Sequence, residues 1–597
     1  MLRRPESRRS IKMCGIAGIY SESYRFNEDA AKVQAHRGPD DYGCVFSENG
    51  QLYINRLAIL DVSSGLQPML SDDKDVKLVF NGEIFNAVQL RNQLEKHGVK
   101  FKTQNSDTEV ILRGYLYWGV EIFKKLNGMF AIAIIDDKKF TQYLVRDTFG
   151  IKPLFYSVSQ NDIFFASEIS TLKKNFVNAP LRNIQVVAES FCFKTRRSHM
   201  TAFDGIVELP SGTLLIRSKE GIKLEKFEFE FVQQGKRGRT SRKSDGKPLR
   251  KEITAAVERW CQSDVPITLS LSGGLDSSII AYSVSNELKI NVPCYSFGVH
   301  GHNNELSTAN ITAKKFKLDF NPVIIQEEEL AHSFPEMIKS MGEPYFGDIP
   351  AWFIYRKIQQ DDYKVVLTGT GADELFGNYG KAKITLPKIA RCIRDYKLRF
   401  RNLNNLFFRL SYFPNYFPII NFVKLFKDEI NVRDEFFDLK YSLRDTVYIY
   451  DKGTQLTNEF LAVTDRFSSH FSVEARTPFL DQQLEYFVLN HIGRQRYRKT
   501  PFKYVLRQAY KSLLPSEVIL PKKTGFTTSN VSLLNKYMSR ELAVMFDRDF
   551  IENQGIFKYE AVRKVWDGAL QKKIIYEQLF WSLYVFQVIW TNENTAS

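Results

Sequence analysis

Met13-Cys14-Gly15-Ile16 sets a cysteine directly after a methionine near the start of a 597-residue chain. If translation begins at Met13 and that methionine is removed, Cys14 carries a thiol and a free α-amine on one carbon. Such an amine titrates at ~7.7–8.0, so near neutral pH much of it is an uncharged base. It can take the proton from its own thiol, directly or through a water, and no histidine is needed to activate the nucleophile. Residues 1–13 would acylate that amine. They are arginine-rich but lack the apolar core of a secretory signal, and they are expected to be an extension that is absent or trimmed. A retained basic tail would remove the base.

A second group of chemistry-bearing residues lies near the middle of the chain. Ser270-Leu271-Ser272-Gly273-Gly274-Leu275-Asp276-Ser277-Ser278 follows an apolar strand pattern and opens a helix. Gly273 and Gly274 let successive N–H groups face an anion, Ser272, Ser277 and Ser278 add hydroxyl donors, and the helix start adds positive potential. There is no Gly-Lys-Ser/Thr, so this is not a Walker loop; it suits a pyrophosphate. Asp276 at its mouth could hold Mg²⁺. A second strand ends in Leu367-Thr368-Gly369-Thr370-Gly371-Ala372-Asp373. Ligands bind at the carboxyl ends of strands in open parallel sheets, so both loops should share one edge, with Asp373 a second metal carboxylate. The plainer readings are a glycine turn for the first loop and a helix cap for Asp373.

Two kinds of element must position these residues. Residues 14–215 are rich in short β patterns, at Gln51–Ile59, Val76–Phe80, Met129–Ile135, Gln142–Val145 and Asp162–Ala166, with amphipathic helices at Asn86–His97 and Thr108–Trp118. This is an α+β layered domain, with a further β segment over Gly205–Phe229. Residues 216–249 form a connecting segment whose run from Gln233 to Pro248 is basic and nearly free of apolar residues, a linker. From 250 to 597, strands at Ile267–Leu271, Val292–Phe297 and Lys364–Thr368 alternate with helices at Ser277–Glu287 and Leu306–Phe316. That is the pattern of a doubly wound parallel sheet, and beyond about 382 it turns helical.

Six cysteines without metal or disulfide spacing point to a reduced, cytoplasmic enzyme. No stretch is long and apolar enough to be an integral membrane helix. The net charge of +15 favours anionic partners, but no nucleic-acid-binding pattern accompanies it.

Taken together, the motifs resemble the glutamine-hydrolysing asparagine synthetases. The resemblance rests on Met13-Cys14-Gly15-Ile16, His36-Arg37-Gly38-Pro39-Asp40, Asn55-Arg56-Leu57-Ala58-Ile59, Asn81-Gly82-Glu83-Ile84-Phe85-Asn86, Ser106-Asp107 and Arg146-Asp147 through Tyr156. It continues through both glycine loops, Asp465-Arg466, Ser472 to Asp481 and Pro521-Lys522-Lys523-Thr524-Gly525. It implies a class II glutamine amidotransferase domain of four-layer Ntn type, joined to an ATP-pyrophosphatase domain with a helical C-terminal part. It also implies roles. Cys14 attacks the amide of L-glutamine, and Asn81 with the Gly82 N–H stabilises the oxyanion. Arg56 holds the substrate carboxylate and Asp107 its ammonium group, with Glu83 beside them. Ser270, Val299, Thr368 and Gly369 surround adenosine, Ser272, Gly273, Gly274 and Ser277 cradle phosphate, and Asp276 and Asp373 take Mg²⁺. Lys523, or Lys522 since spacing cannot choose, neutralises phosphate charge. Singly, Arg56 reads as a surface ion pair, Asp107 as a helix cap and Asn81-Gly82 as a hairpin turn.

Two departures bear on the acceptor. Relatives usually carry glutamate between the glycines of the second loop; here it is Thr370, which cannot act as a base. L-Aspartate is the leading acceptor, with asparagine as product. A sugar uronic acid or other carboxylate in surface-polysaccharide synthesis is the alternative, and a glutaminase-only or non-catalytic homologue is the reading of another class. The basic, aromatic stretch 382–455 is expected to be a helical insertion that could instead bind a sugar nucleotide or lie near a membrane. The sequence is silent on oligomeric state, with a homodimer left open.

Overall fold

The computed structural model describes residues 14–25, 32–38, 40–57, 59, 65–175, 180–228, 246–302, 305–347, 351–377, 425–427, 443–493, 496, 502–520 and 529–595. The extension 1–13, the linker 229–245, Lys522 and Lys523, and nearly all of 378–442 lie outside them.

Among the described residues the first domain has twelve strands: β1 (Gly15–Tyr20), β2 (Asp41–Ser47), β3 (Gly50–Arg56), β4 (Met69–Leu70), β5 (Val76–Ile84), β6 (Gly128–Asp136), β7 (Thr141–Arg146), β8 (Phe155–Ser159), β9 (Asp162–Ala166), β10 (Val207–Glu208), β11 (Thr213–Ser218) and β12 (Gly221–Lys226). They form two six-stranded antiparallel sheets, ordered β10-β8-β9-β1-β3-β2 and β12-β11-β7-β6-β5-β4. Alternation along a strand sends successive side chains to opposite faces. In β1, Ile16 and Tyr20 therefore enter the core between the sheets with Val79, Ala133 and Leu144, while Ala17 and Ile19 pack outward. Helices α1 (Ala87–Lys96) and α2 (Asp107–Trp118) cover the outer face of the second sheet through Leu90, Ile111 and Tyr115. Helix α3 (Ile184–Phe193) covers the first sheet through Val187 and Phe191. The result is the expected four-layer α+β sandwich. The expected boundary at 215 is too early. β12 pairs with β11 along its whole length, so residues 216–226 belong to the first domain's sheet rather than to a connector.

Among the described residues the second domain carries a five-stranded sheet whose pairs are all parallel, of β13 (Ile267–Ser270), β14 (Cys294–Val299), β15 (Phe320–Ile325), β16 (Val365–Leu367) and β17 (Glu474–Arg476). Their order is β15-β14-β13-β16-β17, so the sheet reverses direction of build between β13 and β16. Two strands were not evident from periodicity. β15 contains Pro322, which an edge strand tolerates, and β17 is the short, charged run Glu-Ala-Arg. Helix α4 (Lys247–Trp260) precedes the sheet, α5 (Leu275–Tyr282) follows β13 and continues as a π-helical turn to Glu287. α6 (Leu306–Phe316) follows β14 and α7 (Ala372–Phe376) follows β16. Further helices include α8 (Ala462–His470), α9 (Tyr504–Tyr510) and the long α10 (Ile574–Thr595). No helix among the described residues is long and apolar enough to cross a membrane.

Candidate functional site: two sites joined by one strand

Cys14 leads into β1, and the pairing of Gly15 with Asn55 puts it opposite Arg56 in the next register position. Its Sγ is bracketed by the Leu57 backbone, accepting from the N–H at 3.2 Å and facing the carbonyl at 3.5 Å. β3 ends at Arg56 rather than at Ile59, and Leu57 just beyond it meets the sulfur. Burial pushes the thiol up to about 12, against smaller opposing pulls from the Leu57 N–H and Arg56. A thiol raised this far stays protonated at neutral pH unless a base takes its proton. Arg37, fully buried, fixes the Cys14 backbone: Nε donates to the Cys14 carbonyl at 3.1 Å. Its Nη groups reach Asp465 at 2.8 Å and Ser469 at 2.9 Å on α8 of the second domain.

Asn81 and Gly82 lie inside β5, not in a hairpin turn. Gly82 has φ +142°, and a β-carbon there would sit 1.9 Å from the Met129 carbonyl oxygen, so only glycine fits. Asn81 is 1 % exposed, and its Nδ2 is buried with no hydrogen-bond partner among the described residues. A buried donor left unmade costs free energy unless something else fills it; an incoming oxyanion would. Asp107 is not the cap of α2; Ser106 is, and Asp107 accepts from the Ile84 N–H at 3.1 Å. Burial raises its carboxyl to about 6. Arg56, only 5 % exposed, is no surface ion pair. It acts electrostatically on both Cys14 and Asp107. Burial and the neighbouring Asp107 push Glu83 well above the ordinary glutamate range. The structure thus gathers Cys14, Arg56, Asn81, Gly82, Glu83 and Asp107 at one place.

The second site lies at the switch point of the parallel sheet, where crevices form. Gly273 is left-handed at φ +74°. The Ser272 hydroxyl accepts from the Gly274 N–H at 3.3 Å and shares a 3.1 Å contact with the Ser277 hydroxyl, which folds the loop over the start of α5. Gly369 packs directly on this loop: a β-carbon there would lie 3.0 Å from Asp276 Cβ and 3.1 Å from the Ser277 nitrogen. Ser270, Val299 and Thr368 stand at the carboxyl ends of β13, β14 and β16. Asp373 lies in the first turn of α7, whose N-cap is Gly371. Asp276 and Asp373 converge on one ammonium, Lys503 Nζ, at 2.5 and 2.8 Å. Two carboxylates from separate loops that meet at one cation are a donor set suited to a divalent ion completed by phosphate and water.

Sequence reasoning gave Lys152, Glu474 and Arg476 no role, and they join the two sites. Asp147 accepts from the N–H groups of Phe130, Phe149, Ile151 and Lys152 at 3.0–3.2 Å, which fixes the loop that presents Lys152. Lys152 Nζ reaches Glu474 at 3.4 Å, and Glu474 accepts from Arg476 Nε at 2.9 Å. Arg476 faces Glu83 across 3.4 Å and donates to the carbonyls of Trp260 and Gln262. Of these, Glu474 and Arg476 lie on β17 beside β16, and the Arg476 carbonyl accepts from the Thr368 N–H at 2.8 Å. One strand therefore touches the residues around Cys14 with its side chains and the second glycine loop with its backbone. Lys503 was also missed. Its one signal is Arg507 a helical turn later, a spacing that a solvated helix face would share.

A cysteine leading a layered antiparallel sandwich, packed on a parallel sheet with glycine loops at its switch point, defines a two-site amidotransferase. Residues 13–228 match the glutamine amidotransferase domain family and residues 248–591 the asparagine synthase family. The chain belongs to the asparagine synthase family. It is a glutamine-hydrolysing carbon–nitrogen ligase, and ATP binding is implied by that family. It is 28 % identical over 555 residues to asparagine synthetase [glutamine-hydrolyzing] 1 of Bacillus subtilis, covering 86 % of this chain and 87 % of the relative. It is 24 % identical to the amidase chry2 of Gibberella zeae, covering 94 % and 96 % of the two chains. A solved glutamine phosphoribosylpyrophosphate amidotransferase from B. subtilis is 15 % identical over 60 % of this chain and 82 % of that one, with a TM-score of 0.27.

Proposed function

We propose that this protein is a glutamine-dependent asparagine synthetase. It would form the side-chain amide of L-aspartate with ATP, releasing AMP and pyrophosphate. The observation that carries the glutaminase half is the Asn81 Nδ2, buried and without a hydrogen-bond partner among the described residues, on the strand that also carries Gly82 and Glu83. The Cys14 sulfur adds to the glutamine amide carbon while its proton passes to the α-amine that removal of residues 1–13 would free. Asn81 Nδ2 and the Gly82 N–H take the oxyanion. The carbon–nitrogen bond then breaks, ammonia leaves with the proton from the amine, and water cleaves the thioester to glutamate. Arg56 and Asp107 hold the substrate's carboxylate and ammonium ends.

In the second site an oxygen of the acceptor carboxylate attacks the α-phosphorus of ATP, and the bond to the bridging oxygen breaks to release pyrophosphate. Asp276 and Asp373 would hold Mg²⁺, which supplies charge neutralisation to the phosphates. The Ser272–Ser277 loop cradles the leaving pyrophosphate, and Lys523 or Lys522 would neutralise phosphate charge. Ammonia adds to the acyl carbon, loses a proton, and AMP departs.

Aspartate is supported by the relatives named asparagine synthetase. One observation weakens aspartate and keeps a second acceptor class, a sugar uronic acid or other carboxylate, in view. Thr370 replaces a potential base in the loop, and its hydroxyl is engaged with Thr368 Oγ1 at 3.2 Å. The test is pyrophosphate release with Mg-ATP, ammonium chloride and L-aspartate, with the amide read by mass. Asparagine formation supports the first reading. Folded, ATP-binding protein without aspartate-dependent turnover sinks it and moves the assignment to another carboxylate.

A further inference from the structure

Three separate segments meet at the proposed metal carboxylates. Asp276 comes from the first turn of α5, Asp373 from α7, and Lys503 from the turn that opens α9. The Lys503 side chain is 8 % exposed, and its stem passes Gly377, with Cγ placed 3.7 Å from where a β-carbon would sit on that residue. Its backbone is left-handed at φ 58°, uncommon for a residue with a side chain. Arg507, one turn along, is tied to the carbonyls of Phe502, Val518 and Ile519, so it is anchored while Lys503 commits its ammonium to the two carboxylates. A buried ammonium needs such partners, and a divalent cation needs the same oxygens. The two positive charges cannot share them at contact distance without strong repulsion.

We infer that Lys503 is the built-in counter-ion of the metal site. It holds Asp276 and Asp373 together, is displaced from them by the divalent cation, and then serves the phosphate that the cation brings. The inference rests on the assignment of Asp276 and Asp373 to a metal. Lys503 is thus a positioning residue whose loss has opposite effects on bare metal and on metal–nucleotide.

The test uses the full chain and Mn²⁺, titrated by electron paramagnetic resonance, first without nucleotide and then as Mn-ATP. Lys503→Gln and Lys503→Met should each bind bare Mn²⁺ about tenfold more tightly than the parent, the scale on which one neighbouring like charge acts. Each should bind Mn-ATP about tenfold more weakly, for the same reason with the sign reversed. Lys503→Arg, which keeps the charge, should stay near the parent in both. Using two neutral variants, each checked by circular dichroism, keeps a misfolded one from deciding the matter. Unchanged or weaker bare Mn²⁺ binding in the folded neutral variants overturns the inference. Asp276→Asn and Asp373→Asn separate the premise: if they bind Mn²⁺ as well as the parent does, the metal assignment itself fails and the counter-ion role with it.

Discussion

Replacing Asn81 by alanine should separate activity from stability. Its Nδ2 is buried and makes no hydrogen bond among the described residues, so the substitution removes a desolvated donor rather than a bond. Leaving such a donor unsatisfied costs about 1–3 kcal/mol, and its removal returns that amount. The small cavity left behind costs a comparable amount. The two nearly cancel, and the melting temperature should move by no more than about 4 °C, the shift that ~1 kcal/mol gives in domains of this size. Glutamine hydrolysis should behave differently. Loss of one oxyanion donor costs about 2.7–4 kcal/mol of transition-state stabilisation, a fall of about 10²–10³ in kcat. Glutamate release from glutamine measures the first effect and calorimetry the second, with ammonium-dependent amide formation as the internal control. If Asn81→Ala lost several kcal/mol of stability while hydrolysing glutamine at the parental rate, the side chain would be structural and the oxyanion assignment wrong.

Other substitutions and conditions follow from the same geometry. Asp107 must be ionised to hold an ammonium group, and its carboxyl sits at about 6. Glutamine binding to a Cys14→Ala variant, measured by calorimetry, should therefore be constant at neutral pH and weaken about tenfold per unit once pH falls below that value. A flat affinity down to pH 5 would remove Asp107 from the binding site. Arg476→Met removes the guanidinium that faces Glu83 and donates to Glu474, leaving Glu474 with Lys152 alone among the described residues. A loss of about 3–5 kcal/mol in denaturant unfolding is expected; Arg476→Met with Glu474→Gln should recover part of it. Gly82→Ala would force a β-carbon to 1.9 Å from the Met129 oxygen, so β5 and β6 should separate locally and glutaminase activity should vanish, while Gly453→Ala, where a β-carbon meets nothing within 4 Å and the backbone is not left-handed, should be tolerated. Intact mass of the active protein should begin at Cys14, and a fully active chain retaining residues 1–13 would exclude the terminal amine as base.

Much was legible locally. The strand at Asp162–Ala166 and the helix at Leu306–Phe316 fall where their patterns put them. Apolar alternation and 3.6-residue periodicity are properties of neighbouring residues, and a window of the chain contains them whole. The glycine loop at Ser272–Ser277 was equally readable, because a strand, two glycines and a helix start are contiguous. Short or charged strands were not. Glu474–Arg476 has no apolar face to advertise it, and it becomes a strand only because β16 offers an edge.

The sequence alone determined the candidate nucleophile, the layered-then-parallel architecture and the two glycine loops, because each is written in adjacent residues. Tertiary structure decided what the single residues Arg56, Asp107 and Asn81 are. In isolation these suit an ion pair, a cap and a turn; they become buried neighbours only when β3, β5 and α2 are packed together. It alone revealed the chain of Lys152, Glu474, Arg476 and Glu83 that links the halves, and the ammonium of Lys503 between Asp276 and Asp373. Apart from the Glu474–Arg476 pair, those contacts join residues more than a hundred positions apart, and the energy that selects them, a buried charge finding its partner, has no counterpart in local pattern.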